Sequence, residues 1–103
     1  MAYKIEITDS FERDLGRAID YHIDVLHAEL AAENLMSKLD ETIGLLASNP
    51  DIKAVSSKPI LKDARLREWL VKNYVLVYSF DGTVVRFERF FHQSQNFEDL
   101  LRQ

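Results

Sequence analysis

Hydrophobic and polar residues follow two different periods along the first half of the chain. Residues 3–7 alternate between apolar and polar side chains, which predicts a half-buried β-strand. From residue 11 onward the apolar residues recur at helical spacing until the helix-ending pair Asn49-Pro50, and Thr8, Asp9 and Ser10 offer N-cap side chains. The helical positions form two successive stripes: Phe11, Leu15, Ile19, His22 and Leu26, then Leu35, Leu39, Ile43 and Leu46.

The helical half is too long to be one straight helix. A single helix over residues 10–48 would span about 58 Å, which is wider than a domain of this length. We therefore predict an antiparallel helical hairpin, because this arrangement folds the two stripes against one core. We place the break between the helices within residues 27–32, although no glycine or proline marks it there.

The second half of the chain is predicted to form a loop and three strands. Residues 51–64 have no hydrophobic period and contain three lysines, which indicates a long loop. The pairs Lys72-Asn73 and Asp81-Gly82 interrupt the runs that follow, and Asp-Gly is a strong hairpin signal. A short helix is expected at the C-terminal end. The predicted ranges are 65–71, 74–80 and 83–92 for the strands and 96–102 for the short helix.

The strand pairing follows if both turns contain two residues. One face then carries two rows, Arg67 beside Tyr78 and Val85, and Trp69 beside Leu76 and Phe87. This face is the more aromatic, so we expect the helical hairpin to pack on it. The opposite face then carries Glu68, Val77, Arg86, Glu88, Phe90 and His92.

Together these elements predict an α+β fold in the order β-α-α-β-β-β, with a helical hairpin on a mainly antiparallel sheet of four strands. The first strand is expected to join the meander, because otherwise its edges would stay unpaired. A length of 103 residues with 47% hydrophobic side chains fits a single domain over residues 1–103. The absence of cysteine excludes disulfides and thiolate metal sites. Without a leader or a long apolar run, a cytoplasmic protein with no membrane contact is expected.

Charge is distributed unevenly along the chain, although the formal net charge is only −4. Residues 1–50 contain 4 basic and 10 acidic side chains, whereas residues 51–103 contain 9 basic and 7 acidic ones. The second half therefore offers a candidate surface for an anionic partner, and an ordinary solvated surface is the alternative. The candidate binding residues are Lys53, Lys58, Lys62, Arg65, Arg86 and Arg89.

The residue types that bind metals or activate nucleophiles are not grouped in this sequence. His22 and His27 diverge on a helix, and Asp24 with His27 makes an incomplete metal site. The sequence contains no nucleophile elbow and no phosphate-binding glycine loop. We therefore expect neither a metal ion nor a cofactor.

Three stretches of the sequence resemble the RelE/ParE toxin superfamily. Residues 66–78 resemble its central motif, which is an arginine-led strand, a tight turn and an aromatic strand ending in tyrosine. Residues 43–50 resemble the end of its second helix, and residues 90–98 resemble a ParE-like ending. The resemblance implies the toxin of a type II toxin–antitoxin module, the kind associated with plasmid stabilization, held inactive by a cognate antitoxin.

The superfamily implies one of two targets for such a toxin. RelE-like members cut mRNA on the ribosome, whereas ParE-like members inhibit DNA gyrase. Arg67 matches an arginine that stabilises phosphate charge in RelE-like members, and His92 is a candidate for proton transfer. Each residue also has a purely structural explanation, Arg67 as a tie at the sheet edge and His92 as cover for the strand end.

Several features of the sequence favour the ParE-like branch. Gln93-Ser94-Gln95 stands where many relatives carry arginines, no tyrosine follows Tyr78, and the pI near 5.3 is unsuited to ribosomal RNA. We therefore expect inhibition of gyrase, or of another essential target, by protein binding. A metal-independent RelE-like mRNA endoribonuclease using Arg67 and His92 is the alternative, and a nontoxic interaction module is a third. Both a homodimer and a hetero-oligomer with the antitoxin stay open.

Overall fold

The computed structural model describes residues 3–96 and residue 99, and its elements follow the predicted order. Helices pack on a four-stranded sheet, which confirms the predicted α+β fold. The short helix predicted over residues 96–102 lies largely outside the described residues. The elements are β1 (Lys4–Ile7), α1 (Asp9–Asp20), a π-helical segment (Tyr21–Val25), α2 (Glu29–Ser48), a 3₁₀ turn (Pro50–Ile52), α3 (Pro59–Asp63), β2 (Arg67–Val71), β3 (Tyr74–Phe80) and β4 (Val84–His92).

The start of α1 is fastened to the sheet by the predicted cap. The Thr8 hydroxyl accepts a hydrogen bond from the Phe11 backbone N–H at 3.0 Å and donates one to the Glu88 carbonyl at 2.8 Å. A single side chain thus satisfies a free N–H of the first helical turn and joins the helix to β4. Because Phe11 follows directly, its ring is delivered into the core, where it is 1% exposed.

The two helices separate without a glycine or proline. After α1 the chain continues as the π-helical segment, in which the Leu26 N–H donates to the Tyr21 carbonyl at 3.1 Å. His27 then adopts a left-handed backbone conformation with φ of 50°, and α2 begins at Glu29. The break therefore covers residues 26–28 and overlaps the predicted range at its start. None of the described helices combines the length and apolar character needed to cross a bilayer.

The strand order in the sheet is β1-β4-β3-β2. β2, β3 and β4 form the predicted antiparallel meander, and β1 joins it as a parallel neighbour of β4. The prediction that the first strand belongs to the same sheet is confirmed. Because β1 ends at Ile7 while β4 continues to His92, no strand among the described residues lies beside the second half of β4 on that edge.

The pairing between β3 and β4 differs from the predicted one. Arg67 lies opposite Tyr78 and Trp69 opposite Leu76, as predicted. The predicted pairing of Tyr78 with Val85 is wrong, because Tyr78 lies opposite Phe87. The predicted pairing of Leu76 with Phe87 is also wrong, because Leu76 lies opposite Phe90.

Two local features shift this register. The Asp81 carboxylate accepts hydrogen bonds from the backbone N–H groups of Thr83 and Val84, so the turn at Asp81-Gly82 is longer than two residues. Further along, a bulge leaves Glu88 as an extra residue on β4. Since one extra residue exchanges the two faces, Phe90 and His92 lie on the helix side and not, as predicted, on the opposite side.

Buried side chains fill both faces of the sheet. The larger cluster lies under the helical hairpin and includes Phe11, Tyr78, Phe87 and Phe90. The predicted loop over residues 51–64 is only partly a loop, because it contains the 3₁₀ turn and α3. Leu61 of α3 is fully buried. The short helix α3 therefore covers the second face of the sheet, where its apolar side is removed from water. The smaller cluster consists of Leu61, Leu66, Val75, Val77 and Phe91.

Candidate functional site

Arg67 begins β2 and holds the segment that follows α2. Its Nη1 donates hydrogen bonds to the carbonyls of Pro50 and Lys53 at 3.0 and 2.7 Å, and to the Asp51 carboxylate at 3.2 Å. The buried Tyr78 hydroxyl donates to the same Pro50 carbonyl at 3.1 Å. Burial raises the pKa of Tyr78, while the Arg67 charge opposes the shift. Hydrogen bonds from the guanidinium and from the Tyr78 hydroxyl thus connect β2 and β3 to the 3₁₀ turn.

His92 ends β4 and has a defined ring tautomer. Its Nδ1 accepts a hydrogen bond from the Ser94 backbone N–H at 3.1 Å and lies 2.7 Å from the Ser94 hydroxyl. Because Nδ1 acts as an acceptor, the proton of the neutral ring resides on Nε2. The ring packs edge-on against Tyr74, with the ring centres 5.3 Å apart. The backbone N–H of His92 donates to the Gln95 side chain at 3.0 Å, which holds the turn.

The sheet places Arg67 and His92 far from each other. Arg67 lies opposite Tyr78 and His92 lies opposite Tyr74, on the two strands that flank β3. Four residues of strand separate the two positions by about 13 Å along β3, and two strand spacings add roughly 10 Å across it. The two candidate catalytic residues therefore do not converge on one reacting group in this structure.

A cavity of about 380 Å³ opens beside His92. The stacked rings of Tyr74 and Phe90, with centres 5.0 Å apart, form part of its wall. Arg17 and Tyr21 reach it from the helical hairpin, and the sequence did not point to either residue. Burial and then the neighbouring Tyr21 raise the pKa of Tyr74. The i, i+4 spacing of Arg17 and Tyr21 places them on one helix face, but only the register of β4 brings His92 to it.

Three of the six candidate binding cations form ion pairs within the chain. Lys58 lies 3.0 Å from Glu68, Arg86 lies 2.8 Å from Glu6, and Arg89 lies 2.7 Å from Asp14. The hydrogen bond to Glu6 is the main cause that raises the pKa of Arg86. Carboxylates of the same chain therefore already neutralise Lys58, Arg86 and Arg89. The three remaining candidates are Lys53, Lys62 and Arg65, all exposed and without an ion pair to another described residue.

The pair between Arg89 and Asp14 is the most buried of these. The Asp14 carboxylate accepts from Arg89 Nε and Nη2 at 2.7 and 3.2 Å, and also from the Phe90 backbone N–H at 3.0 Å. That N–H lies on the half of β4 that β1 does not reach, so Asp14 takes the place of a neighbouring strand. The Asp14 side chain is only 6% exposed. This role could not be predicted from the sequence, since Asp14 is one of many carboxylates on the predicted helices.

A second cavity, of about 460 Å³, lies near the Asp81-Gly82 turn. Arg65, Arg67 and Arg86 line it, together with the Asp81 carboxyl group. Backbone hydrogen bonds from Val84 and Thr83 lower the pKa of Asp81, so this carboxylate stays ionised. Arg65 has a left-handed backbone conformation with φ of 57°, and its backbone N–H donates to the carbonyl of the exposed Lys62 at 3.0 Å. We call this cavity the arginine cleft.

Comparisons with known proteins define the class to which this fold belongs. The family model described as the ParE toxin of the type II toxin–antitoxin system parDE matches residues 5–97. The chain therefore belongs to the ParE toxin family, and the expected RelE/ParE relationship is confirmed. It is a ParE-like toxin component of a type II toxin–antitoxin system. A search of curated protein sequences found no significant match.

Solved structures with the same fold come from toxin–antitoxin systems. One is from the chromosomal ParDE system of P. aeruginosa, with a TM-score of 0.68, 16% identity, and coverage of 88% of this chain and 96% of that one. Another is from the E. coli DinJ–YafQ complex, with a TM-score of 0.60, 25% identity, and coverage of 92% and 98%. These likenesses support an antitoxin as the partner of this chain.

Proposed function

We propose that this chain acts in the cytoplasm by binding and inhibiting DNA gyrase, and that its cognate antitoxin prevents this binding. The single observation that carries the proposal is the separation of Arg67 from His92 across β3. A nuclease needs its charge-stabilising and proton-transferring groups within about 3 Å of one reacting phosphate. A toxin that acts by binding needs a surface and no such convergence.

The contacts of Arg67 support the same conclusion. Its Nη1 makes three hydrogen bonds to the segment after α2, and its side chain is 13% exposed. A guanidinium used in this way is unsuited to follow a developing phosphate charge, because it would first have to break its own contacts. The surface left for a target is basic. It comprises Lys53, Lys62 and Arg65, the last of which lines the arginine cleft.

The RelE-like alternative has one specific observation in its favour. In the cavity beside His92, the Nε2 proton of a neutral imidazole and the Arg17 guanidinium are the two groups that an RNA phosphate would use. In that case the chain would be a metal-independent mRNA endoribonuclease, in which His92 transfers the proton and Arg67 has a structural role. A nontoxic interaction module on this fold would show neither activity.

Two assays on the purified full-length chain test the proposal. A gyrase supercoiling assay is run beside an in vitro translation assay that maps cuts in mRNA. We expect inhibition of supercoiling and intact mRNA. The charge-reversed variant Lys62→Glu/Arg65→Glu should need at least about tenfold more protein for the same inhibition. Lys38→Glu, an exposed lysine on α2, is the matched control and should inhibit like the original chain. Codon-positioned mRNA cuts would overturn the proposal in favour of the nuclease, and inactivity in both assays would favour the nontoxic module.

A further inference from the structure

The cavity beside His92 contains a tyrosine whose hydroxyl group the fold does not use. Tyr74 is 7% exposed, and its ring packs against those of Phe90 and His22, with ring centres 5.0 and 5.9 Å away. The Tyr74 side chain lines the cavity, and its hydroxyl forms no hydrogen bond with another described residue. Buried tyrosine hydroxyls usually have a hydrogen-bond partner. Water can satisfy one such hydroxyl, whereas a set of unused donors around one cavity indicates a ligand.

Other polar groups at this cavity are also hydrogen-bond donors. The proton of the neutral His92 ring is on Nε2, because Nδ1 accepts a hydrogen bond from the Ser94 backbone N–H. The Gln95 side-chain oxygen already accepts from the His92 backbone N–H, which leaves the amide nitrogen of Gln95 as a donor. The Arg17 guanidinium adds further N–H donors, and it forms no ion pair with another described residue. Donors from α1 and from the end of the sheet therefore meet at one cavity.

The cavity has a positive charge that no side chain in its wall neutralises. Arg17 is the cation, and no acidic residue of the described chain lines the cavity. In the arginine cleft, by contrast, Asp81 is part of the wall, and carboxylates already hold Arg67 and Arg86. A cation with several neutral donors and no carboxylate favours an anionic ligand over a neutral one.

The size of the cavity and its apolar wall define the rest of the ligand. Its volume of about 380 Å³ lies in the range that is typical of small-molecule sites. Tyr21, Tyr74, Phe90 and Phe91 supply aromatic side chains to the wall. Such a wall removes a planar apolar group from water and adds favourable ring contacts. A ligand with an anionic head and an aromatic body of one or two rings therefore matches both the donors and the wall.

The number of charges distinguishes between the anionic heads that such a ligand could carry. The single charge of Arg17 balances a monoanion such as a carboxylate, and the planar guanidinium matches two carboxylate oxygens. A phosphate monoester with two charges would leave one of them uncompensated beside aromatic side chains. A nucleic acid would in addition meet the exposed carboxylates at the tip of the helical hairpin, which are Asp20, Asp24, Glu29 and Glu33. A carboxylate is therefore the head that fits best.

We propose that the cavity beside His92 binds a small aromatic carboxylate. The carboxylate pairs with Arg17 and accepts hydrogen bonds from the Tyr74 hydroxyl and from His92 Nε2, while the rings lie along the aromatic wall. Burial and the neighbouring Tyr21 raise the pKa of Tyr74, so its hydroxyl keeps the proton that it donates. The proposal does not depend on the target of the toxin, since it concerns only this cavity and its donors.

Titration calorimetry on the purified full-length chain tests the class of ligand. The probe is indoleacetate, and we expect a dissociation constant of about 10 µM to 1 mM. Indoleacetamide has the same shape without the charge and should bind at least about tenfold more weakly, as should AMP, which carries a phosphate. Equal affinity for the amide, or no binding of indoleacetate up to about 10 mM, would overturn the proposal. Binding of AMP with equal or greater affinity would overturn it in favour of nucleotide recognition.

Two pairs of matched variants locate the binding site. Arg17→Gln removes the cation and should weaken indoleacetate binding at least about tenfold. Arg13→Gln removes the same charge one helical turn earlier, outside the lining of the cavity, and should change binding less than about twofold. Tyr74→Phe removes the unused hydroxyl and should weaken binding about fivefold, whereas Tyr3→Phe removes a hydroxyl elsewhere and should not. Equal effects within either pair would overturn the proposal.

Thermal unfolding separates a ligand-binding hydroxyl from a structural one. Because the Tyr74 hydroxyl has no partner in the described chain, Tyr74→Phe should leave the unfolding midpoint unchanged or raise it, while the ring still stacks on Phe90. Saturating indoleacetate should raise the midpoint of the original chain by a few degrees and that of Arg17→Gln by much less. A large fall in the midpoint of Tyr74→Phe without ligand would show that the hydroxyl serves the fold, and it would overturn the proposal.

Discussion

At the hairpin tip, exposed carboxylates border exposed apolar side chains, and none of Asp20, Asp24, Glu29 and Glu33 has a basic partner among the described residues. At the Asp81-Gly82 end of the sheet, in contrast, Lys58, Arg67 and Arg86 are each held by a carboxylate of the same chain. The two ends are separated by the length of β3. Both ends contain many charged residues, but only at the Asp81-Gly82 end do ion pairs within the chain hold some of them.

This difference shows why a count of charges along the chain is a weak guide to a binding surface. Arg89 and Arg86 belong to the basic half of the sequence, yet Asp14 and Glu6 from the acidic half neutralise them. A charge that is paired and partly buried is costly to release, whereas an unpaired exposed charge is available at little cost. The contrast between the two ends leads to four stability predictions, given from the largest effect to the smallest.

Removing Asp14 should have the largest effect. Asp14→Ala leaves the partly buried Arg89 without its carboxylate and the Phe90 N–H without an acceptor, so we expect the free energy of unfolding to fall by about 3–5 kcal/mol. Urea unfolding followed by circular dichroism measures it. Glu12→Ala, on the exposed side of the same helix, is the control and should cost less than about 1 kcal/mol. A similar small loss for Asp14→Ala would mean that Arg89 is available for binding after all.

Removing the Arg67 guanidinium should have the next largest effect. Arg67→Ala deletes the hydrogen bonds to Pro50, Asp51 and Lys53, and we expect a loss of about 2 kcal/mol. Arg67→Lys retains a charge but not the forked geometry, so it should recover only part of the loss. An Arg67→Ala variant with unchanged stability but abolished activity would contradict the structural role and favour a catalytic one.

Removing the Tyr78 hydroxyl should cost about 1 kcal/mol, because one hydrogen bond to Pro50 is lost. Stability should also depend on pH. Since burial raises the pKa of Tyr78 above 10.0 in the folded state, the contribution of Tyr78 to stability is constant below that pH and is lost as the pH rises from there through the folded pKa, because the unfolded phenol ionises first. Thermal unfolding at several alkaline pH values should show a shallower decline for Tyr78→Phe. An identical decline in both proteins would assign the pH dependence to Tyr74 alone.

Removing Lys58 should have the smallest effect. Its ion pair with Glu68 is at the surface, with the lysine side chain 46% exposed, so Lys58→Ala should cost about 0.5 kcal/mol or less. The loss should shrink further in concentrated salt, because screening already weakens this pair. A loss as large as that of Arg67→Ala would show that the basic end depends on its surface pairs as well as on its buried ones.

The sequence by itself determined those parts of the molecule in which neighbouring residues decide the outcome. The alternation in β1, the cap at Thr8, the helix end before Pro50 and the hairpin at Asp81-Gly82 all depend on contacts within a few residues. The order of these elements was sufficient for the α+β fold, and the motifs over residues 43–50, 66–78 and 90–98 indicated the family to which the chain belongs. Even the pairing of β2 with β3 followed, because its turn has no irregularity.

Only the tertiary structure decided the features that depend on distant residues. The bulge at Glu88 exchanged the faces of Phe90 and His92, and hydrophobic alternation cannot reveal an extra residue whose place is set by the neighbouring strand. The partners of Arg67, Arg86 and Arg89 lie from 14 to 80 positions away in the chain. Whether a cation holds the fold or faces a partner therefore follows from long-range packing, in which burial and distance, and not sequence spacing, set the energy of each charge.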